Sequence, residues 1–184
     1  MAEKIREKII AEFSKIKSKK RVYAVISQPE CCLEVNKEVI HLITKKLGYS
    51  ALYVTLNNSH CSTLKYLGSK NIDTKKIFFI DNVEDEKGCG AKNCMFLGRN
   101  KSLTALSLAI TEVVNENKIQ SIFFDSVTTL LIYNNPETTE RFIHFFVNKI
   151  KNAGILLVMV SVEDEKTKKI IPILSQLCDV VIKI

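Results

Sequence analysis

Val22–Glu34, VYAVISQPECCLE, is the stretch whose reading decides the fold. Its first five residues, Val22–Ile26, form a short continuous apolar run that suits a strand buried on both faces. A turn follows, and from Leu33 to Leu47 the apolar residues Val35, Val39, Leu42 (or Ile43) and Leu47 recur at helical spacing, with Gly48 as a natural C-terminal cap. A second apolar run, Ala51–Leu56, comes next. In a strand–turn–helix unit of this kind the turn is where phosphate is held, by glycines that free backbone N–H groups, a lysine and a Ser/Thr hydroxyl. This turn contains no glycine and no lysine, and it carries Glu30 and Glu34.

The same rhythm continues outward in both directions. Upstream, Ile5, Ile9, Phe13 and Ile16 fall on one face of a helix over residues 3–19, and Lys19, Lys20 and Arg21 suit its C-terminal end. Downstream, strands are expected at Lys76–Asp81, Ser121–Asp125, Ile155–Val160 and Asp179–Ile184. Helices are expected at Ser59–Ser69, Ser102–Asn117, Asn135–Ala153 and Lys166–Leu177, with Ser59 as an N-cap and Pro136 in a first turn. Residues 82–101 break the pattern and read as a long irregular segment, and residues 126–134 as a short connection. Short apolar strands alternating with helices mean a mostly parallel sheet covered on both faces, an α/β fold of three layers. The expected organisation is an N-terminal amphipathic helix, residues 1–20, and a single α/β domain, residues 21–184.

Composition narrows the function classes. At 184 residues the chain is long enough to bury one real core, and its 46% hydrophobic and 26% charged content is ordinary for a globular protein. No apolar run approaches the roughly 18 residues of a membrane span, and the N-terminus has no apolar signal region, so a cytoplasmic, soluble protein without membrane contact is the expectation. The net charge of +7 comes from scattered lysines with few arginines. That is a solvated surface more than a nucleic-acid footprint, so nucleic-acid binding stands as a weaker alternative. Six cysteines without a secretion signal read as reduced thiols.

Strand two reading ALYVTLNNSH and the fourth strand reading SIFFDSVTTLL resemble the KaiC-like branch of the RecA ATPase superfamily, over about Arg21–Ile184. Among its members the likeness is strongest to uncharacterised archaeal ones with a degenerate nucleotide loop. The resemblance lays the loop of that family on Ser27–Glu34, with its proline on Pro29. Ser27, Glu30 and Cys32 then replace glycines, Leu33 replaces the lysine, and Glu34 replaces the magnesium-binding hydroxyl. Asn57 and Asn58 stand where the family carries two catalytic glutamates, and Asp125-Ser126 keeps the identity of the Walker B pair. The resemblance further implies that strands Val22–Ile26 and Ser121–Asp125 are neighbours, bringing Ser27–Glu34 close to Asp125.

The departures weigh more than the matches. Glu30 and Glu34 would repel a triphosphate at a cost of several kcal/mol in a partly desolvated site. Asparagines can orient water but cannot take its proton. ATP hydrolysis is therefore expected to be lost, with no cofactor and no catalytic residue retained. The expected role is a binding or regulatory module that self-associates or meets a protein partner. A residual ATPase with Glu34 and Asp125 on magnesium is the enzymatic alternative. Cys31, Cys32, His60, Cys61, Cys89 and Cys94 fall near predicted strand ends and could converge as zinc or iron–sulfur ligands, but the local Cys-x4-Cys spacing is weak and separate, idle thiols are the favoured reading. Cys178 is expected to stand apart. Asp81, at another strand end, reads as a turn-holding carboxylate.

Overall fold

The computed structural model describes residues 2–14, 21–83, 92–98 and 102–184. Among the described residues seven strands form one sheet: β1 (Val22–Ser27), β2 (Ala51–Thr55), β3 (Ile77–Asp81), β4 (Cys94–Phe96), β5 (Ser121–Asp125), β6 (Leu156–Val162) and β7 (Val180–Lys183). The order across the sheet is β4-β3-β2-β5-β6-β1-β7, and every pair is parallel. Among the described residues seven α-helices accompany them: α1 (Ala2–Ser14), α2 (Cys32–His41), α3 (His60–Ser69), α4 (Leu103–Glu116), α5 (Val127–Tyr133), α6 (Pro136–Ala153) and α7 (Ile171–Leu177). No helix among the described residues is long and apolar enough to cross a membrane.

The continuous apolar runs follow from burial on both faces. In β1, Val22 and Ala24 enter one core with Leu52, Val54, Ile122, Phe124 and Met159, beneath α4, α5, α6 and α7. Tyr23 and Val25 enter the other with Tyr53, Phe79, Phe123 and Val158, beneath α1, α2 and α3. Strand residues alternate sides, so a strand covered on both sides has no polar position to give up. Phe13 of α1 stacks on Tyr23 at 4.6 Å between ring centroids, which fastens the N-terminal helix to the sheet. On the opposite face Phe142 and Phe146 of α6 stack at 5.4 Å and lean on Phe124.

Local signals account for the element ends. Ser59, Ser102, Ser126 and Asn135 each accept a backbone N–H of their own helix's first turn through the side chain, as N-caps do. Gly154 closes α6 at φ 70°, a left-handed conformation that glycine adopts without a Cβ penalty. Helix α2 runs on through a wider turn, Leu42–Lys46.

Three expectations are corrected. Residues 126–134 contain α5, a capped helix, where a plain connection was expected. The irregular segment 82–101 contains β4, an edge strand of three residues paired with β3. Strands β1 and β5 are not neighbours: β6 lies between them and pairs with both. The physical reason is that apolar content places a strand in the interior of the sheet without saying beside which other strand.

Candidate functional site

In parallel α/β sheets, ligands gather beyond the carboxyl ends of the strands. Here that edge holds Asp125, and β2, β5 and α2 converge on it. Asp125 ends β5 in register with Thr55 of β2 and is 4% exposed. Its Oδ2 accepts from the Tyr53 hydroxyl at 2.8 Å and from Asn36 Nδ2 at 2.9 Å. Tyr53 comes from inside β2 and Asn36 from the buried face of α2. So although β6 separates the strands, the helix that follows the loop does reach Asp125.

Burial raises the Asp125 carboxyl above its usual range, and the hydrogen bonds from Tyr53, Asn36 and Asn57 oppose that rise without cancelling it. Burial, with the adjacent Asp125 charge, pushes the Tyr53 hydroxyl well above its usual value, which keeps it a donor. The Asp125-Ser126 peptide bond is cis.

A second network runs alongside. Asn57 Nδ2 donates to Ser126 Oγ at 3.2 Å, and its Oδ1 accepts from the Thr129 hydroxyl. Ser126 and Thr129 hydroxyls lie 3.0 Å apart. Asn57 therefore ties the end of β2 to the start of α5, with both ends of its amide engaged. Asn58 is exposed, and its carbonyl accepts from the Thr55 hydroxyl.

The loop itself is a single tight turn. Pro29–Cys31 form one 3-10 turn that passes directly into α2. The Gln28 N–H donates to the Ile184 carbonyl at 3.2 Å, the Cys31 N–H to the Gln28 carbonyl at 3.0 Å, and the Cys32 N–H to the Pro29 carbonyl. Pro29 has no N–H to offer. Ser27 is buried, and its carbonyl accepts from the Glu163 N–H at 2.8 Å. Glu30 faces solvent, Leu33 is 52% exposed, and Glu34 is ion-paired with Lys37.

The thiols and imidazole are distributed as follows. Cys31 is buried and Cys32 half-buried beside the loop, neither in a disulfide, and burial with the nearby Asp125 charge raises the Cys32 thiol. Cys61, in the first turn of α3, is disulfide-bonded, a correction to the expectation that every thiol is reduced. Cys94 is not disulfide-bonded and opens β4 in register with Phe79, inside the sheet rather than beyond its edge. Cys89 lies outside the described residues. His60 is fully buried, its ring edge-on to Phe79 at 4.7 Å and to Phe96 at 6.0 Å. Its backbone N–H donates to Asp81 Oδ2 at 2.6 Å, and the Val83 N–H donates to Asp81 Oδ1 at 2.7 Å, so Asp81 holds the turns after β2 and β3. Cys178 is free and buried, and burial pushes its thiol up to about 12. It precedes β7, at the opposite edge of the sheet. Among the described residues, no three His, Cys, Asp or Glu side chains form a metal-binding group.

Tyr53 and Asn36 were not among the residues singled out from sequence. Tyr53 sits within an apolar strand and Asn36 within an amphipathic helix, where each looks like a neighbour of core residues. The one available signal was an asparagine on the helix face that also carries Val35 and Val39.

The chain matches, over residues 73–184, a family described as a family of unknown function, DUF7504. The match begins after α3 and so includes Asp125 but not the loop at residues 27–34. No curated protein matches the chain. Its fold resembles the crystal structure of a KaiC-like protein from the hyperthermophilic archaeon Pyrococcus horikoshii, with a TM-score of 0.59 and 10% identity. The likeness covers 79% of this chain and 62% of that one, so this chain spans less than two thirds of that protein's length. The fold is thus of KaiC-like, RecA type.

The raised Asp125 carboxyl has a consequence for stability. A carboxyl whose folded value exceeds its unfolded value of 3.8 binds its proton more tightly when folded. Its contribution is fully present below that value and is lost as pH rises through the folded value. Asp125→Asn keeps an oxygen acceptor for Tyr53 and Asn36 without a buried charge. The stability of the variant relative to wild type should therefore grow as pH rises from about 4, measured by urea unfolding across pH. A difference that is flat, or that shrinks with pH, contradicts the assignment.

Proposed function

The chain belongs to the DUF7504 family of unknown function, and we propose that it is a degenerate KaiC-like domain that has lost ATP hydrolysis and serves as a binding or regulatory module. The observation that carries this reading is the hydrogen bonding of the loop. A phosphate cradle needs several backbone N–H groups aimed at one point outside the chain. At residues 28–32, three of them donate to carbonyls of the protein and Pro29 has none. The side chains agree with the backbone. Leu33 brings no cation, and Lys37, one turn along α2, is held by Glu34 and by Glu38 at 3.1 Å.

The enzymatic alternative needs Glu34 and Asp125 to hold magnesium together. Glu34 is ion-paired with Lys37, and the Asp125 carboxylate is buried beneath Tyr53 and Asn36. With Asn57 bonded to Ser126 and Thr129, no carboxylate stands at the general-base position.

A module without chemistry acts through what it binds, and we place that binding with protein, either a second copy or a partner, in an archaeal cytoplasm. Large apolar side chains at Leu108, Ile132, Tyr133 and Phe145 are more than half exposed, which supports a contact surface. Light scattering on the purified chain should give a mass above that of the 20.9 kDa monomer, alone or after addition of cell extract from its source. A strict monomer under both conditions contradicts this part of the reading.

The nucleotide part is tested by calorimetry and thermal unfolding with ATP, with and without magnesium. Neither saturable heat nor a rise in Tm is expected, since a ligand that binds only the folded state must raise its stability. Micromolar affinity overturns the reading.

A further inference from the structure

Lysines that look scattered along the sequence gather in the fold. In a parallel sheet each connection returns the chain to the amino edge, so the segments leading into β3, β2 and β5 lie side by side there, in that order. These segments are residues 69–76, 42–50 and 115–120. The Lys76 carbonyl accepts from the Ala51 N–H at 2.9 Å and the Lys118 carbonyl from the Ser50 hydroxyl at 3.0 Å, so all three meet at the start of β2. They carry Lys45, Lys46, Lys70, Lys75, Lys76 and Lys118 against only Asp73 and Glu116, more than half of the chain's net charge of +7. These lysines are exposed and form no ion pair among the described residues. At the opposite edge, the described loops 28–34 and 163–169 hold more carboxylates than lysines.

Cations suit the C-terminal end of a helix, which accounts for Lys45, Lys46 and Lys70 one at a time. It does not account for the others. Lys75 and Lys76 belong to the turn before β3, beyond the end of α3. Lys118 follows the C-cap of α4 in a left-handed conformation, at φ 50°. The matching positions in the two neighbouring segments are Gly48 at φ 69° and Asn71 at φ 57°, the residue types that usually take this conformation. A lysine is strained there relative to glycine, so what Lys118 adds is its charge.

The same edge has no apolar anchor. The large apolar side chains exposed among the described residues, Leu33, Leu108, Ile132, Tyr133 and Phe145, all lie outside the three segments. A protein partner, an inserting lipid contact and a stacked single strand each draw on such an anchor. A nucleic-acid duplex does not, because its backbone is met by cations alone. Neighbouring strands stand about 4.8 Å apart, so the three lysine-bearing ends span about 10 Å. Along that length a duplex presents about six phosphate charges. We propose that the amino edge at β3-β2-β5 binds the phosphate backbone of a nucleic-acid duplex without reading its sequence. This goes beyond the protein contact proposed above and does not rest on it.

Fluorescence anisotropy with labelled duplexes tests it, using DNA of two unrelated sequences and one RNA. Saturable binding of either kind of duplex is expected, with a slope of log K against log salt of about −4 on DNA and no preference between the DNA sequences. Lys46→Gln, Lys76→Gln and Lys118→Asn together should weaken binding at least about tenfold at about 100 mM salt and flatten the slope by about 3. Lys166→Gln, Lys169→Gln and Lys183→Gln together remove the same charge from exposed positions at the carboxyl edge and should leave affinity and slope close to wild type. Lys118→Asn alone should have a Tm no lower than wild type and still flatten the slope by about 1, which separates lost binding from lost folding. No saturation with any duplex, equal losses in the two triple variants, a strong preference between the DNA sequences, or equal binding to phosphatidylserine vesicles would each overturn the proposal. So would a lower mass of the first triple variant in light scattering, which would put a second copy on this edge. None of these outcomes depends on whether ATP binds.

Discussion

The buried carboxylate of Asp125 is the constraint around which the site is arranged. A carboxyl group at 4% exposure must find donors, and it finds them in Tyr53 of β2 and Asn36 of α2. Those two hydrogen bonds join the end of one strand, the middle of its neighbour and the helix after the loop. They also orient the group inward. The residue that keeps the identity expected of a metal-holding aspartate thus acts within the protein as an acceptor for structural donors. Removing either donor would leave a buried carboxyl short of a hydrogen bond, at a cost of about 1–3 kcal/mol.

The loop tells the same story through its backbone. Its tight turn gives the N–H groups of Gln28, Cys31 and Cys32 carbonyl partners within the protein. A proline and a 3-10 turn shorten the path from β1 to α2, and the Gln28 N–H is taken by the chain's last carbonyl, that of Ile184. Glu34 then pairs with Lys37, one helical turn along, rather than facing into the site. Backbone and side chains are consistent with each other, which is the mark of a settled local structure rather than a disturbed one.

How much of this was legible depends on the residues concerned. Strands such as Val22–Ser27 and Ser121–Asp125 were readable because burial on both faces makes their middles, Val22–Ile26 and Ile122–Phe124, continuously apolar. Helix α6 was readable from Asn135, Pro136 and Gly154 at its ends. Helix α5 was not, because VTTLLIY is short and β-branched and its cap, Ser126, follows a strand directly. β4 was hidden because three residues, CMF, carry no period. The insertion of β6 between β1 and β5 could not be read from composition, since strand order rests on packing between distant segments. At the site, the expectation that Ser27–Glu34 and Asn57 lack nucleotide chemistry came from residue identities alone. The partners of Asp125 were not legible, because Tyr53 and Asn36 become a pair only in three dimensions.

The central claim is that the loop's N–H groups are already committed within the protein. Amide hydrogen exchange at Cys31 and Cys32, followed by NMR, measures that most directly. Carbonyl-bonded N–H groups should exchange slowly in the free protein, and ATP with magnesium should leave their rates unchanged. Rapid exchange in the free protein that slows when ATP and magnesium are added would show N–H groups waiting for a phosphate, and would contradict the account.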